Sequence, residues 1–397
     1  MRIAFDASVC FNRRGFGRFA RELLQALVAR RAEDGFDYVL LVDREVAPGD
    51  LPEALTALER IDARPTRKVT ESAVAGGRRS LKDLLAFTRA TRRARADLVF
   101  VPAVYSFFPL PLRQRAVVCF HDTIAEEHPR LVFPDRWSEL FWRAKSWLAA
   151  RQATRVMTVS SASRDAVARA YKVPLARIDV VTEGADARFR PIADRAQLQR
   201  QLARWMPFGG PPSFLFVGGL SPHKNLEALL GAFRRLLERR DARLVFVGDP
   251  KADGFLDAGA RLNAVVNGDE RLRARVVFTG VVSDDDLVAL LNGACALVLP
   301  SLLEGFGLPA VEAMACGTPV LASSTGALPE VVGEAGLYFA PTDVAAMAQA
   351  MERLLDEPEL RERLACSAVE QAARFSWARG AELAAAAFHR ALGSGGR

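Results

Sequence analysis

The sequence predicts an α/β protein made of two doubly wound, Rossmann-like domains in tandem, and three observations carry that prediction. Short apolar runs of strand length alternate with segments of helical period along the whole chain. The alternation stops at a stretch rich in proline and glycine, Phe189 to Pro212, and starts afresh at Phe214-Leu215-Phe216-Val217-Gly218-Gly219. Several apolar runs end in glycine-bearing loops, the place where such folds hold ligands at the carboxyl ends of strands. A length of 397 residues suits two domains. They are expected at 1–190 and 191–375, facing each other across a central cleft, with 376–397 following as a last helix.

In the first half, Ile3-Ala4-Phe5 reads as a strand and Arg18 to Arg30 as a helix with Phe19, Leu23, Leu24 and Leu27 on one stripe. Between them lies Arg13-Arg14-Gly15-Phe16-Gly17-Arg18, a glycine loop after a first strand and so a weak diphosphate signal at Gly15 and Gly17. Tyr38 to Val42 is a second strand, and residues 60–80, polar and basic, read as a mobile surface segment. Ser80 to Arg95 is a helix pairing Leu81, Leu84, Leu85 and Thr88 with Arg78, Arg79, Lys82, Arg89, Arg92, Arg93 and Arg95. Such a basic amphipathic surface suits anionic lipid, or simply solvates a helix packed on the sheet. Buried strands at Asp97 to Val101 and Ala116 to Phe120 follow, the second ending in His121-Asp122 at the expected cleft. A helix from Trp137 to Ala150, a strand from Arg155 to Val159 and a helix from Arg164 to Tyr171 lead to Val180-Val181-Thr182-Glu183-Gly184.

In the second half, the strand at Phe214 leads through Ser221-Pro222-His223-Lys224-Asn225 into a helix with Leu229, Leu230 and Phe233. A lysine between strand and helix can hold phosphate as a point charge. Strands at Leu244 to Gly248 and Val276 to Val282 come next. Ser283-Asp284-Asp285-Asp286 reads as a helix cap rather than a metal ligand set. The run Ala296 to Leu299 is a buried strand, after which Pro309 is suited to the first turn of a helix that Gly317 closes. The backbone N–H groups of Gly305, Phe306, Gly307 and Leu308 would then be the donors of a helix N-terminus, an anion site. Glu304 and Glu312 stand on either side of it with seven residues between them. Ionised carboxylates only accept hydrogen bonds, which suits sugar hydroxyls.

Taken together, Glu304-Gly305-Phe306-Gly307-Leu308-Pro309 and Glu312-Ala313-Met314-Ala315-Cys316-Gly317-Thr318-Pro319 resemble the donor signature of the retaining glycosyltransferase family 4. The resemblance spans nearly the whole chain and implies the GT-B arrangement, with donor bound by the C-terminal domain and acceptor by the N-terminal one. It implies that Lys224, with Gly15 and Gly17, faces the donor diphosphate and that Val281 lies at the base. Glu304 is implied at the donor-sugar hydroxyls and Glu312 at the ribose. His121, with Asp122, belongs at the acceptor side of the sugar, and the last helix returns to the N-terminal domain. Two departures stand out: Gly219 and His223 occupy positions where relatives often carry arginine, so His223 is expected to supply part of the second phosphate contact. The implied reaction moves a hexose from a GDP- or UDP-linked sugar to a glycan or lipid-linked acceptor, with mannose as the best guess. No metal or other cofactor is expected, and front-face substitution fits better than a covalent intermediate.

Charge and cysteines frame the partners. Residues 1–200 carry 35 Lys+Arg against 24 Asp+Glu, a balance of +11, whereas the remainder balances at −4. That asymmetry favours an anionic partner such as a membrane surface or acidic acceptor, and no nucleic-acid motif accompanies it. Five scattered cysteines suit buried thiols in a reducing compartment. With no hydrophobic signal segment at Met1-Arg2-Ile3-Ala4-Phe5-Asp6, the expected location is cytoplasmic, at most peripheral on the inner face of the cell membrane. A nucleotide-sugar epimerase or hydrolase of the same fold, and a catalytically silent scaffold that binds nucleotide or membrane, are the alternatives.

Overall fold

The computed structural model of the chain describes residues 1–12, 15–47, 49–66, 80–205, 210–248 and 258–393. It divides into two compact units, Met1–Glu183 with Ser376–Arg397, and Gly184–Phe375. The crossing point lies between Glu183 and Gly184, a few residues ahead of the expected boundary at 190.

In the first unit seven parallel strands form one sheet: β1 (Arg2–Asp6), β2 (Asp37–Val42), β3 (Glu59–Asp62), β4 (Leu98–Val101), β5 (Ala116–Cys119), β6 (Arg155–Thr158) and β7 (Ile178–Val180), in the order β3-β2-β1-β4-β5-β6-β7. β4 and β5 are buried along their whole length, as strands covered by helices on both faces must be. The order reverses between β1 and β4, which makes their carboxyl ends the crevice of this unit. The helix Trp377–Gly393 belongs to the same unit. There Trp377 meets Phe19, Phe388 meets Phe100, and a Cβ on Gly380 would lie 2.7 Å from the Thr182 carbonyl oxygen.

The second unit repeats the plan with six parallel strands: β8 (Ser213–Val217), β9 (Arg243–Val247), β10 (Val276–Gly280), β11 (Ala296–Leu299), β12 (Val320–Ser323) and β13 (Gly336–Phe339). Their order is β10-β9-β8-β11-β12-β13, so the reversal falls between β8 and β11. The strand–turn–helix unit at Ala296 to Gly317 is as expected, with the helix at Leu308–Ala315 and Pro309 in its first turn. Ser283 caps the Asp284–Gly293 helix by accepting from the Asp286 N–H at 3.1 Å.

Three sequence expectations need correction, and at a fourth stretch, the basic helix, the structure favours one of the two readings the sequence left open. Gly15 and Gly17 are not in a loop but form the first turn of the helix Gly15–Ala29; Arg13 and Arg14 lie outside the described residues. The supposed mobile segment, residues 60–80, begins inside the edge strand β3, and Thr66 donates to Asp83 at 2.8 Å; residues 67–79 lie outside the described residues. The linker contains a helix, Arg195–Leu202, capped by Asp194. The basic helix Leu81–Ala94 buries Leu84, Phe87, Ala90 and Ala94, and among its described side chains Leu85 is the exposed large apolar one, beside Lys82, Arg89, Arg92 and Arg93. It therefore packs on its own unit and offers solvent mostly charge; Arg78 and Arg79 lie outside the described residues.

Candidate active site

Each unit gathers its predicted residues at its own reversal point. In the second unit the chain leaves β8 and makes a tight turn at Pro222–Lys224, closed by Asn225 in the left-handed region at φ 60°. The Asn225 amide donates to the carbonyls of Pro300 at 3.0 Å and Pro341 at 2.7 Å, and the Leu302 N–H donates to the His223 carbonyl at 2.8 Å. These bonds stitch the exit of β8 to that of β11. Across the stitch Lys224 Nζ meets Glu304 Oε1 at 2.7 Å, and the Ser301 hydroxyl donates to the same oxygen at 2.6 Å.

The pair is mostly shielded from water, with side-chain exposures of 20% for Lys224 and 11% for Glu304. Burial by itself would raise the Glu304 pKa. The Lys224 charge, hydrogen bonds from Lys224 and Ser301, and the nearby His223 outweigh it and hold the carboxyl below its ordinary range. The result is a cation fixed in direction before any ligand arrives.

Gly307 sits at φ 98°, and a Cβ there would meet Leu328 Cδ2 at 2.8 Å, so only glycine turns the chain into the Leu308–Ala315 helix at this point. Gly305, Phe306, Gly307 and Leu308 are all buried. Phe306 packs edge-on against Phe375 with centroids 5.6 Å apart. The side chains of Phe306 and Leu308 thus belong to the core, and the group suited to an anion is the backbone of the helix start. Glu312 is buried one turn along the same helix, 4% exposed. Val281, just past β10, is 56% exposed and offers an apolar surface at a strand's carboxyl end.

In the first unit, Gly17 is fixed by contact, since a Cβ would lie 2.1 Å from the Asn12 carbonyl oxygen, while Gly15 faces open space. Phe16 between them stacks on Tyr105 at 5.3 Å, and Tyr105 leans on Trp142 at 4.9 Å. His121 leaves β5 buried beneath Phe19, whose ring meets the imidazole edge-on at 4.7 Å. Its Nε2 is 2.9 Å from the Pro102 carbonyl oxygen at the exit of β4, and its Nδ1 is 3.5 Å from Glu183 Oε1. Both ring nitrogens face acceptors, an arrangement that suits the imidazolium, which donates from both. Burial opposes that charge, but Cys119 beside the ring and the Glu183 carboxylate outweigh it and raise the His121 pKa well above 6.5. Asp122 accepts from the Ile124 N–H at 3.0 Å and so shapes the turn after His121.

Glu183, Asn225 and Ser301 were not singled out from the sequence as site residues. Glu183 left only a faint trace, a carboxylate beside an apolar strand end. Among the described residues, no group of three or more His, Cys, Asp and Glu is placed to hold a metal ion.

Comparison with known proteins bears on the family and the fold. The model of Glycosyl transferases group 1 matches residues 200–371, and that of Glycosyltransferase Family 4 matches residues 13–189. The O-antigen chain mannosyltransferase B of Escherichia coli is 32% identical over 68% of this chain and 69% of its own length. The glycogen synthase of Mycobacterium tuberculosis is also 32% identical, over 69% of this chain and 62% of its own. A crystal structure of Anabaena HepE in complex with UDP-glucose superposes with a TM-score of 0.75 at 20% identity, covering 98% of this chain and all of the other. Sequence motif, doubly wound GT-B fold and relatives converge: the chain is a glycosyltransferase and belongs to family 4, the glycosyl transferases group 1.

Proposed function

We propose that the chain transfers a hexosyl group, mannose from GDP-mannose, to a glycan or lipid-linked acceptor in the synthesis of a cell-surface polysaccharide, with retention of anomeric configuration. The observation that carries the transfer chemistry is the Lys224–Glu304 pair at the reversal point of the second sheet. The mannosyltransferase relative supports the sugar, and the +11 balance of the first 200 residues supports an anionic acceptor or membrane surface.

As the glycosidic bond breaks, negative charge grows on the leaving diphosphate. Lys224 stabilises it, helped by the backbone at Gly305 to Leu308 and by His223 as a second cation when protonated. Glu304 then exchanges part of its bond with Lys224 for donor-sugar hydroxyls, Glu312 accepts from the ribose, and Val281 lies against the base. His121, buried with its ring nitrogens toward Glu183 and Pro102 and its pKa raised, supplies a positive partner on the acceptor side when protonated.

Thermal-shift screening against GDP-mannose, GDP-fucose, UDP-glucose and UDP-N-acetylglucosamine tests the donor: GDP-mannose should stabilise most, and a preference for a UDP-sugar would replace mannose in this proposal. Product analysis without acceptor separates the epimerase or hydrolase alternative, which would release epimer or free sugar. Because protein cations neutralise the leaving group here, saturating EDTA is expected to leave the transfer rate within about twofold, a difference of less than half a kcal/mol in the barrier. Activity lost to EDTA and restored by Mg²⁺ or Mn²⁺ would show that a metal carries that charge instead.

A further inference from the structure

The helix Arg136–Gln152 of the first unit has two faces of different chemistry. Its inner face carries Trp142, 3% exposed, whose indole N–H donates to Glu126 at 2.6 Å while the Tyr171 hydroxyl donates to the same carboxylate. Ser138, Ser146, Ala149 and Ala150 complete that buried side. The outer face carries Trp137, Leu140 and Trp147, exposed by 72%, 58% and 53%. At 100° per residue, these three and Arg136, Arg143 and Arg151 fall within an arc of about 120°.

The outer face is cationic as well as apolar. The Arg151 guanidinium lies 5.3 Å over the Trp147 ring. Glu139, at the edge of the arc, is neutralised by Arg143 at 2.8 Å. No helix of the chain, among the described residues, is long and apolar enough to cross a membrane. Tryptophans alternating with arginines suit the boundary between acyl chains and anionic headgroups, where an indole keeps one edge wet and a guanidinium binds phosphate. Apolar side chains separated by cations make a poor seam for a stable dimer, whose centre is depleted of charge.

We propose that this face docks on the surface of a bilayer rich in acidic phospholipid, with Trp137, Leu140 and Trp147 in the headgroup boundary and Arg136, Arg143 and Arg151 on lipid phosphates. It deepens the membrane part of the proposed function and is independent of which sugar is transferred. It assigns the contact to this helix rather than to Leu81–Ala94, which buries its apolar side.

The test reads binding rather than transfer, so its failure and that of the transferase assignment are distinguishable. The full chain is sedimented with vesicles of phosphatidylcholine alone and of phosphatidylcholine mixed with phosphatidylglycerol. Binding to the mixed vesicles only, weakening as salt rises, is expected. Trp137→Ser with Leu140→Ser and Trp147→Ser, and separately Arg136→Glu with Arg143→Glu and Arg151→Glu, should each weaken it at least about tenfold, whereas Arg92→Glu with Arg93→Glu should change it less than about threefold. Should a triple variant fail to fold, quenching of the unaltered chain's tryptophans by brominated lipid, and its reduction in Trp147→Ser alone, decides the matter. The proposal is overturned if acidic vesicles are not bound, if only the Arg92 and Arg93 changes abolish binding, or if the apolar triple instead dissociates a dimer that ignores vesicles.

Discussion

Turnover of Lys224→Ala is expected to fall at least about a hundredfold, because one preorganised contact to developing charge is worth about 3 kcal/mol in such sites. Steady-state kinetics with saturating donor checks it, and a near-normal rate would remove Lys224 from the leaving group. The same change strips a buried carboxylate of its counter-charge, so a fall in melting temperature should accompany it. Lys224→Ala combined with Glu304→Gln separates the two effects: stability should largely return while activity stays low. The pH dependence has a definite sign. Glu304 titrates below its ordinary value in the folded chain, so its ion pair stabilises the fold above an unfolded pKa near 4.5 and is lost as acid carries the pH through the lowered folded value. That acid-side component should vanish in the Lys224→Ala protein.

Glu183→Gln tests the other half of the site. The substitution keeps shape and hydrogen bonding but removes the charge facing His121 Nδ1. Loss of the opposite charge facing Nδ1 should lower the His121 pKa. The chain has four histidines, which makes the ring C–H signals tractable by NMR. The alkaline limb of the pH–rate profile should move down in step, whereas a purely structural role for Glu183 would lower the rate without moving the limb. Here the stability sign is reversed. His121 has a folded pKa above 6.5, so its contribution is complete below 6.5 and lost as the pH rises through the raised value. Cys119 against the ring and the Pro102 carbonyl remain in the variant, and Glu183→Asp should restore part of the shift.

How far the sequence revealed this molecule depends on what each residue had to declare. Strands such as β4, β5 and β11 were readable because burial on both faces makes them unbroken apolar runs. β3 was not, because Glu59-Arg60-Ile61-Asp62 pairs with β2 on one side only and keeps charged residues at the sheet edge. The Arg195–Leu202 helix hid behind the prolines around it and a single buried apolar residue, Leu198. At the site, Lys224 and Glu304 each announced themselves by following a strand. Their bond did not, since they are 80 positions apart and meet only because β8 lies beside β11. Glu183 depended on the sheet in the same way, because its partner belongs to the exit of β5 and its own segment follows β7.

Asn225 sets a limit on how this site can vary. Its backbone needs the left-handed region, which glycine, asparagine and aspartate adopt most readily. Its side chain must also present two donors to two carbonyls. Glycine would keep the turn and lose both ties. Aspartate would keep the size and the turn but aim acceptors at acceptors, repelling the loop that bears Lys224. Asparagine meets the conformational and the donor requirement together in one short side chain, so mutational drift or deliberate redesign could reshape the sugar pocket around Lys224 far more freely than the residue that follows it.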